Sequence, residues 1–132
     1  MRALNVHVAV MVLFALVAGC GSGLRVTSIQ LGRSLNVDGT VAGHTTVFAP
    51  DDTVYVSIAT AGAGSGTIGV RWMYHGSVVG EPTKRVSYRD IAATEFHLQS
   101  AGGFPRGDYT VEAFLDGRSV GTRAFRVETT TR

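Results

Sequence analysis

From residue 26 onward, apolar and polar residues alternate in short runs separated by turn residues. A period of two marks half-buried β-strands. Val26–Leu35 opens the series, split by Gly32, and Asp38-Gly39 is a turn. Val41–Phe48 is a weaker second segment, and Ala49-Pro50-Asp51-Asp52 carries turn chemistry. Thr53–Thr60 places Val54, Val56 and Ile58 on one face and Tyr55, Ser57 and Ala59 on the other. Ala61–Gly66 reads as a flexible glycine-rich loop. Thr67–His75 follows, with Ile68, Val70, Trp72 and Tyr74 on one face and Gly69, Arg71, Met73 and His75 on the other. His75-Gly76 predicts a tight hairpin into Ser77–Val79, and Arg85–Tyr88 is the candidate continuation of that edge. Tyr88–Ala93 is a candidate for one helical turn. Thr94–Gln99 directs Phe96 and Leu98 inward, and Gly102–Gly107 is a loop. Asp108–Leu115 directs Tyr109, Val111, Ala113 and Leu115 inward. Asp116-Gly117 is the strongest hairpin signal, and Arg118–Glu128 returns with Val120, Phe125 and Val127 as its apolar members.

About seven short strands in about 100 residues, with no convincing helix, predict an all-β sandwich. Two details refine this. Trp72 lies mid-strand, and Pro105-x-Gly107-x-Tyr109 leads into the penultimate strand. With the hairpin from Gly107 to Val127, these residues resemble bacterial immunoglobulin- or fibronectin-III-like domains. The resemblance covers about the last half of the chain. It implies an immunoglobulin-like β-sandwich in which Trp72 is the buried Trp of strand C and Tyr109 forms a tyrosine corner. The inter-sheet disulfide of antibody domains is excluded, because the chain has one cysteine.

That cysteine lies outside the strand pattern. Val8–Ala18 is almost wholly apolar and runs into Val17-Ala18-Gly19-Cys20, with Gly-Ser-Gly after it. Arg2 supplies a positive start. The run is shorter than the roughly 20 residues that span a bilayer. An apolar stretch, two small residues and Cys resemble a bacterial lipoprotein precursor of the signal peptidase II type. The resemblance implies that residues 1–19 are a cleaved signal peptide and that Cys20 carries covalent diacylglyceryl and acyl lipid. It also implies a membrane-anchored protein of the bacterial cell envelope. Gly21 is not the Asp that favours inner-membrane retention, which turns the expectation toward the outer membrane. Residues 20–25 are then a lipidated tether, 26–128 the sandwich and 129–132 a polar tail.

Composition changes this picture little. Without residues 1–19 the chain keeps eleven basic residues against ten acidic ones. Such a balance predicts no nucleic-acid partner and no polybasic patch for anionic lipid. His44, His75 and His97 lack metal-ligand spacing, so no metal site is expected. Asp51-Asp52 lacks the oxygen-ligand series of a calcium loop and reads as a turn. No Gly-x-Ser-x-Gly precedes a helix, and Ser65 sits among glycines, so no catalytic residues and no cofactor other than the lipid are expected. Arg106-Gly107-Asp108 is accounted for by the turn before Tyr109.

The outward face of the sheet formed by the Trp72 strand and the last hairpin is the candidate binding face. It carries Arg71, Met73 and His75 beside Glu112, Phe114 and Arg126. Met73 and Phe114 would be apolar anchors for an envelope protein partner or a second copy of the chain, with Arg71, Glu112 and Arg126 fixing register. The alternative expectation is a glycan- or small-ligand-binding protein that uses the sandwich-end loops, with Phe104 as the sugar-stacking ring.

Overall fold

The computed structural model describes residues 23–129; residues 1–22, with the expected signal peptide and Cys20, and residues 130–132 lie outside the described residues. The strands are β1 (Arg25–Leu35), β2 (Val41–His44), β3 (Val47–Phe48), β4 (Val54–Ala61), β5 (Gly64–Tyr74), β6 (Ser77–Gly80), β7 (Thr83–Tyr88), β8 (Ala92–Leu98), β9 (Gly107–Leu115) and β10 (Arg118–Val127). One sheet has the order β2-β1-β4-β8. The other has the order β3-β10-β9-β5-β6, and β7 pairs with the first half of β5.

The alternation read from the sequence becomes the core. Val54, Val56, Ile58 and Phe96 from the four-stranded sheet face Ile68, Val70, Trp72, Tyr109, Val111 and Phe125 from the other, all buried. Trp72 is 1% exposed, and its ring meets Phe125 edge-on at 6.0 Å. Phe48 meets the same Phe125 ring edge-on at 5.5 Å. Edge-to-face packing suits aromatic quadrupoles. The turns obey their residues: His75 (φ 48°) with Gly76 and Asp116 (φ 50°) with Gly117 both take the left-handed pairs that two-residue hairpins need.

Three expectations change. Val41–Phe48 is not one strand. The chain crosses between sheets at Thr45-Thr46, so β2 pairs with β1 while β3 pairs in parallel with β10. Ala61–Gly66 is not a flexible loop, because Gly64, Ser65 and Gly66 pair with Tyr88, Ser87 and Val86 of β7. Tyr88–Ala93 forms no helical turn; Tyr88 packs inward against the core, and the Asp90 carboxylate accepts the Ile91 N–H at 2.7 Å. Of the three apolar members of the last strand, Val120 is the one outside the core. A bulge between Ser119 and Gly121 leaves it 38% exposed and restores Phe125 and Val127 to the core.

One further feature was not anticipated. Ser57 points to the outer face of the four-stranded sheet yet is 3% exposed, because its Oγ donates to the Gly39 carbonyl at 2.9 Å. Gly39 also approaches Ala93 of β8 so closely that a Cβ there would lie 3.0 Å from the Ala93 carbonyl oxygen. The β1–β2 hairpin therefore folds as an arm across that face, burying Val41. Gly32 is where it turns: a Cβ there would sit 2.5 Å from the Ala42 oxygen.

Candidate functional site

The outer face of the six-stranded sheet carries the predicted binding residues. Register places Arg71 directly across from Glu112, Gly69 across from Phe114 and Met73 across from Thr110. On the other side of Met73 stands Val78 of β6, 49% exposed. Arg71 is the hub. Its Nε donates to Glu81 Oε1 at 2.6 Å and its Nη1 lies 3.7 Å from Glu112 Oε1. Its guanidinium carbon is 5.0 Å from the centre of the Phe114 ring. On the β5 side Phe114 has no side chain opposite it, only Gly69, so the ring has room there and stays half-buried. A groove of about 380 Å³ results, bounded by Phe114, Gly69, Thr83, Arg71 and Glu81. These ion pairs are solvent-accessible and contribute little stability. They hold the guanidinium over the ring, between two carboxylates.

A second, shallower hollow of about 250 Å³ lies toward the β5–β6 turn, beside Met73, His75, Asp108 and Thr110. His75 is exposed in that turn, with its ring edge-on to Tyr74 at 4.2 Å. Arg126 sits one strand farther, across from Asp108, with Nε 3.2 Å from Asp108 Oδ1 and 3.6 Å from Glu128. The six predicted residues thus share one face but form two clusters: Arg71, Glu112 and Phe114 at one, Met73 and His75 at the other, with Arg126 bound to the second through Asp108. Glu81, the nearest partner of Arg71, was missed. It lies between β6 and β7, where no alternation marks it.

The loop candidate does not survive as a stacking platform. Phe104 is 7% exposed and packs against Tyr109 at 6.1 Å, so its faces are core contacts. What the loop builds instead is a pair of tyrosine clasps. Tyr109 Oη donates to the Pro105 carbonyl at 2.6 Å, as the tyrosine corner requires, and Tyr74 Oη donates to the Arg106 carbonyl at 2.9 Å. The two rings stack at 4.5 Å. Burial, reinforced by the neighbouring Tyr74 phenol, raises the Tyr109 pKa above its ordinary 10.0, so the phenol stays a donor at neutral pH.

The remaining polar residues act structurally. Asp52 accepts the Ala49 N–H at 2.7 Å and pairs with Arg33 at 3.1 Å, which is turn chemistry. His97 faces outward and lies 3.2 Å from Glu95. Among the described residues no three His, Cys, Asp or Glu side chains cluster to hold a metal ion. No described helix is long and apolar enough to cross a membrane.

No family model matches the chain, and no curated protein matches it. Solved structures do resemble it. An immunoglobulin-like protein from Pseudomonas aeruginosa superposes with a TM-score of 0.57 at 13% identity, over 83% of this chain and 100% of its own length. A β-glucosidase from Erythrobacter marinus gives 0.56 at 11% identity, over 81% of this chain but 16% of the enzyme. An alkylpurine DNA glycosylase from Pseudomonas fluorescens gives 0.52 at 10% identity, over 83% of this chain and 31% of the enzyme. The chain therefore spans less than a third of either enzyme, and the likeness is one of fold. Sheet order, buried Trp72, the Tyr109 corner and the full-length match together make this an immunoglobulin-like β-sandwich.

Proposed function

We propose that this chain is a lipid-anchored, non-enzymatic protein of the bacterial cell envelope whose immunoglobulin-like domain binds a protein partner through the outer face of the six-stranded sheet. The observation that carries the binding reading is the position of Phe114 and Met73. Both are half-buried large side chains on a face that no other described strand covers. Half-buried apolar side chains ringed by charge match the anchors and rim of a protein interface. The non-enzymatic reading agrees with the full-length neighbour and with the structural roles of the polar residues. Anchoring rests on the Val17-Ala18-Gly19-Cys20 resemblance, which also carries the outer-membrane preference. No nucleic-acid partner is part of the reading.

A photo-crosslinking amino acid at Met73 tests the face in cells. It is expected to give a discrete adduct, absent when the probe sits at Gln30 on the opposite sheet and lost in Phe114→Asp. Adduct mass separates a second copy of the chain from a different protein. Equal crosslinking from both positions, with Trp72 fluorescence native, overturns the face. Cys20→Ser tests the anchor: detergent partitioning and the lipid mass adduct are expected to disappear. A Cys20→Ser protein that still partitions, or a wild type without an adduct, overturns it.

A further inference from the structure

The end of the sandwich where the described chain begins gathers charge that the sequence scatters. Gly23 packs against the β4–β5 turn so closely that a side chain on Gly23 would strike the Ala63 carbonyl, and one on Gly62 would strike the Gly23 carbonyl. Gly64, the next contact of Gly23, pairs with Tyr88, and Arg89 follows directly. Arg25 pairs with Ala61 at the same end, and Arg118 starts β10 from the β9–β10 turn there. Arg85 lies three residues back along β7. All four arginines are exposed, and none takes part in an ion pair among the described residues, whereas Arg33, Arg71, Lys84 and Arg126 all do. Three acidic residues share this end, Asp90, Asp116 and, on the arm beside Gly39, Asp38, each accepting a backbone N–H, from Ile91 at 2.7 Å, Thr67 at 2.8 Å and Thr40 at 3.0 Å. Among the described residues the other seven acidic residues lie elsewhere, against six basic ones. At the tip, between Arg89 and β8, stands Ile91, 79% exposed.

We infer that this end docks on the anionic surface of the bilayer, with Ile91 entering the headgroup–acyl boundary and Arg25, Arg85, Arg89 and Arg118 on lipid phosphates. The inference rests on the proposed anchor at Cys20. Gly23 is three residues from Cys20, and three residues of chain reach at most about 10 Å. A lipidated Cys20 therefore holds Gly23 within about one Debye length of the surface and turns the arginine-bearing end toward it. Arginines at that distance each strengthen binding to an anionic membrane about five-fold. The near-neutral overall balance had predicted no basic patch; the fold makes one by bringing together four arginines distant in sequence.

The test uses full-length protein purified with its lipid, its adduct verified by mass, in vesicles of three parts brominated phosphatidylcholine to one part phosphatidylglycerol. Ile91→Trp is the reporter. Ala101→Trp, in the loop at the opposite end, is the control, and buried Trp72 is a background common to both. Bromine is expected to quench Ile91→Trp about two-fold and Ala101→Trp negligibly. Arg89→Glu with Arg118→Glu, vesicles without phosphatidylglycerol, or 1 M salt should each relieve that quenching. An adduct-bearing, vesicle-bound protein quenched equally at both positions, or at neither, overturns the docking while leaving the anchor intact. Quenching at residue 91 that persists in zwitterionic vesicles and in the arginine variant overturns the charge mechanism. Protein lacking the adduct overturns the anchor and this inference with it.

Discussion

Tyr109→Phe removes one oxygen from the core and leaves the ring. The ring stacks on Phe125 at 5.1 Å and on Tyr74 at 4.5 Å, and Phe keeps both contacts. What is lost is the 2.6 Å hydrogen bond to the Pro105 carbonyl. A neutral hydrogen bond contributes about 1 kcal/mol net, and an acceptor left dry costs about 1–3 kcal/mol more. Pro105 is exposed, so water reaches its carbonyl and the second cost is small. The expected loss is therefore about 1–2 kcal/mol, against about 3–5 kcal/mol for Tyr109→Ala, which also empties the ring site. For a domain of this size the Phe variant lowers Tm by roughly 5–10 °C. The chain has one tryptophan, Trp72, buried beside Phe125, so its fluorescence reports urea unfolding directly. The midpoint should fall with the slope m unchanged. Tyr74→Phe, whose bond to Arg106 is exposed, should cost about half as much, and the two variants should couple because both clasps hold the same two residues. A Tyr109→Phe midpoint within about 0.3 kcal/mol of wild type would refute the reasoning: the corner would then be ring packing alone.

Three other outcomes are expected. Stability should be full below about pH 10 and decline as pH climbs toward the raised Tyr109 pKa, because the unfolded chain releases that proton first. Tyr109→Phe lacks this loss, so the gap between it and wild type should narrow above pH 10; a constant gap counts against a buried neutral phenol. Gly32→Ala puts a methyl 2.5 Å from a backbone oxygen and 3.0 Å from Val41 Cβ, so it should cost about 1–3 kcal/mol and speed hydrogen exchange at Gly39 and Val41. Unchanged exchange would mean that the arm does not turn there. Lys84→Ala removes an ammonium that donates to the Glu95 carbonyl at 2.5 Å and lies 4.9 Å from the Phe96 ring, closing the seam between β7 and β8. It should cost about 1 kcal/mol and permit concentration-dependent self-association through the bared β8 edge, seen by sedimentation and reversed in Lys84→Arg.

The parts of this fold legible in sequence are those written as side-chain parity. Ile68, Val70 and Trp72 alternate with Arg71 and Met73, and each falls on its expected side. The same parity brings Arg71 to Glu112 and Phe114, since only strand order and one hairpin separate them. Where parity is silent, the reading failed. Gly64 to Gly66 carry too few side chains to show a strand, and only pairing with β7 makes them one. The arm over Ser57 depends on a bend at Gly32 and on contacts to residues far along the chain, which no local pattern encodes. The outward position of Val120 is itself legible. It stands five residues from Phe125, an odd number, so a regular strand cannot bury both, and Gly121 next to it supplies the bulge.

The two outer faces of the sandwich are unequal, and the inequality bears on how the domain would work. The arm and its buried Val41 cover part of the four-stranded sheet's outer face, so an occupant there must first displace an element that carries its own hydrogen bonds. Among the described residues the six-stranded sheet has no such cover. Its groove beside Phe114 is already shaped by Arg71, whose two carboxylate partners limit its freedom before any partner arrives. A side chain fixed in advance has less entropy to lose on binding. If the arginine-rich end faces the bilayer, the strands stand upright on it, and the open face looks sideways along the membrane. A partner reaching Phe114 and Met73 would then itself be a neighbour at the surface. Two-dimensional confinement raises its effective concentration, so a small, partly charged groove can suffice where a freely diffusing partner would need a larger apolar one.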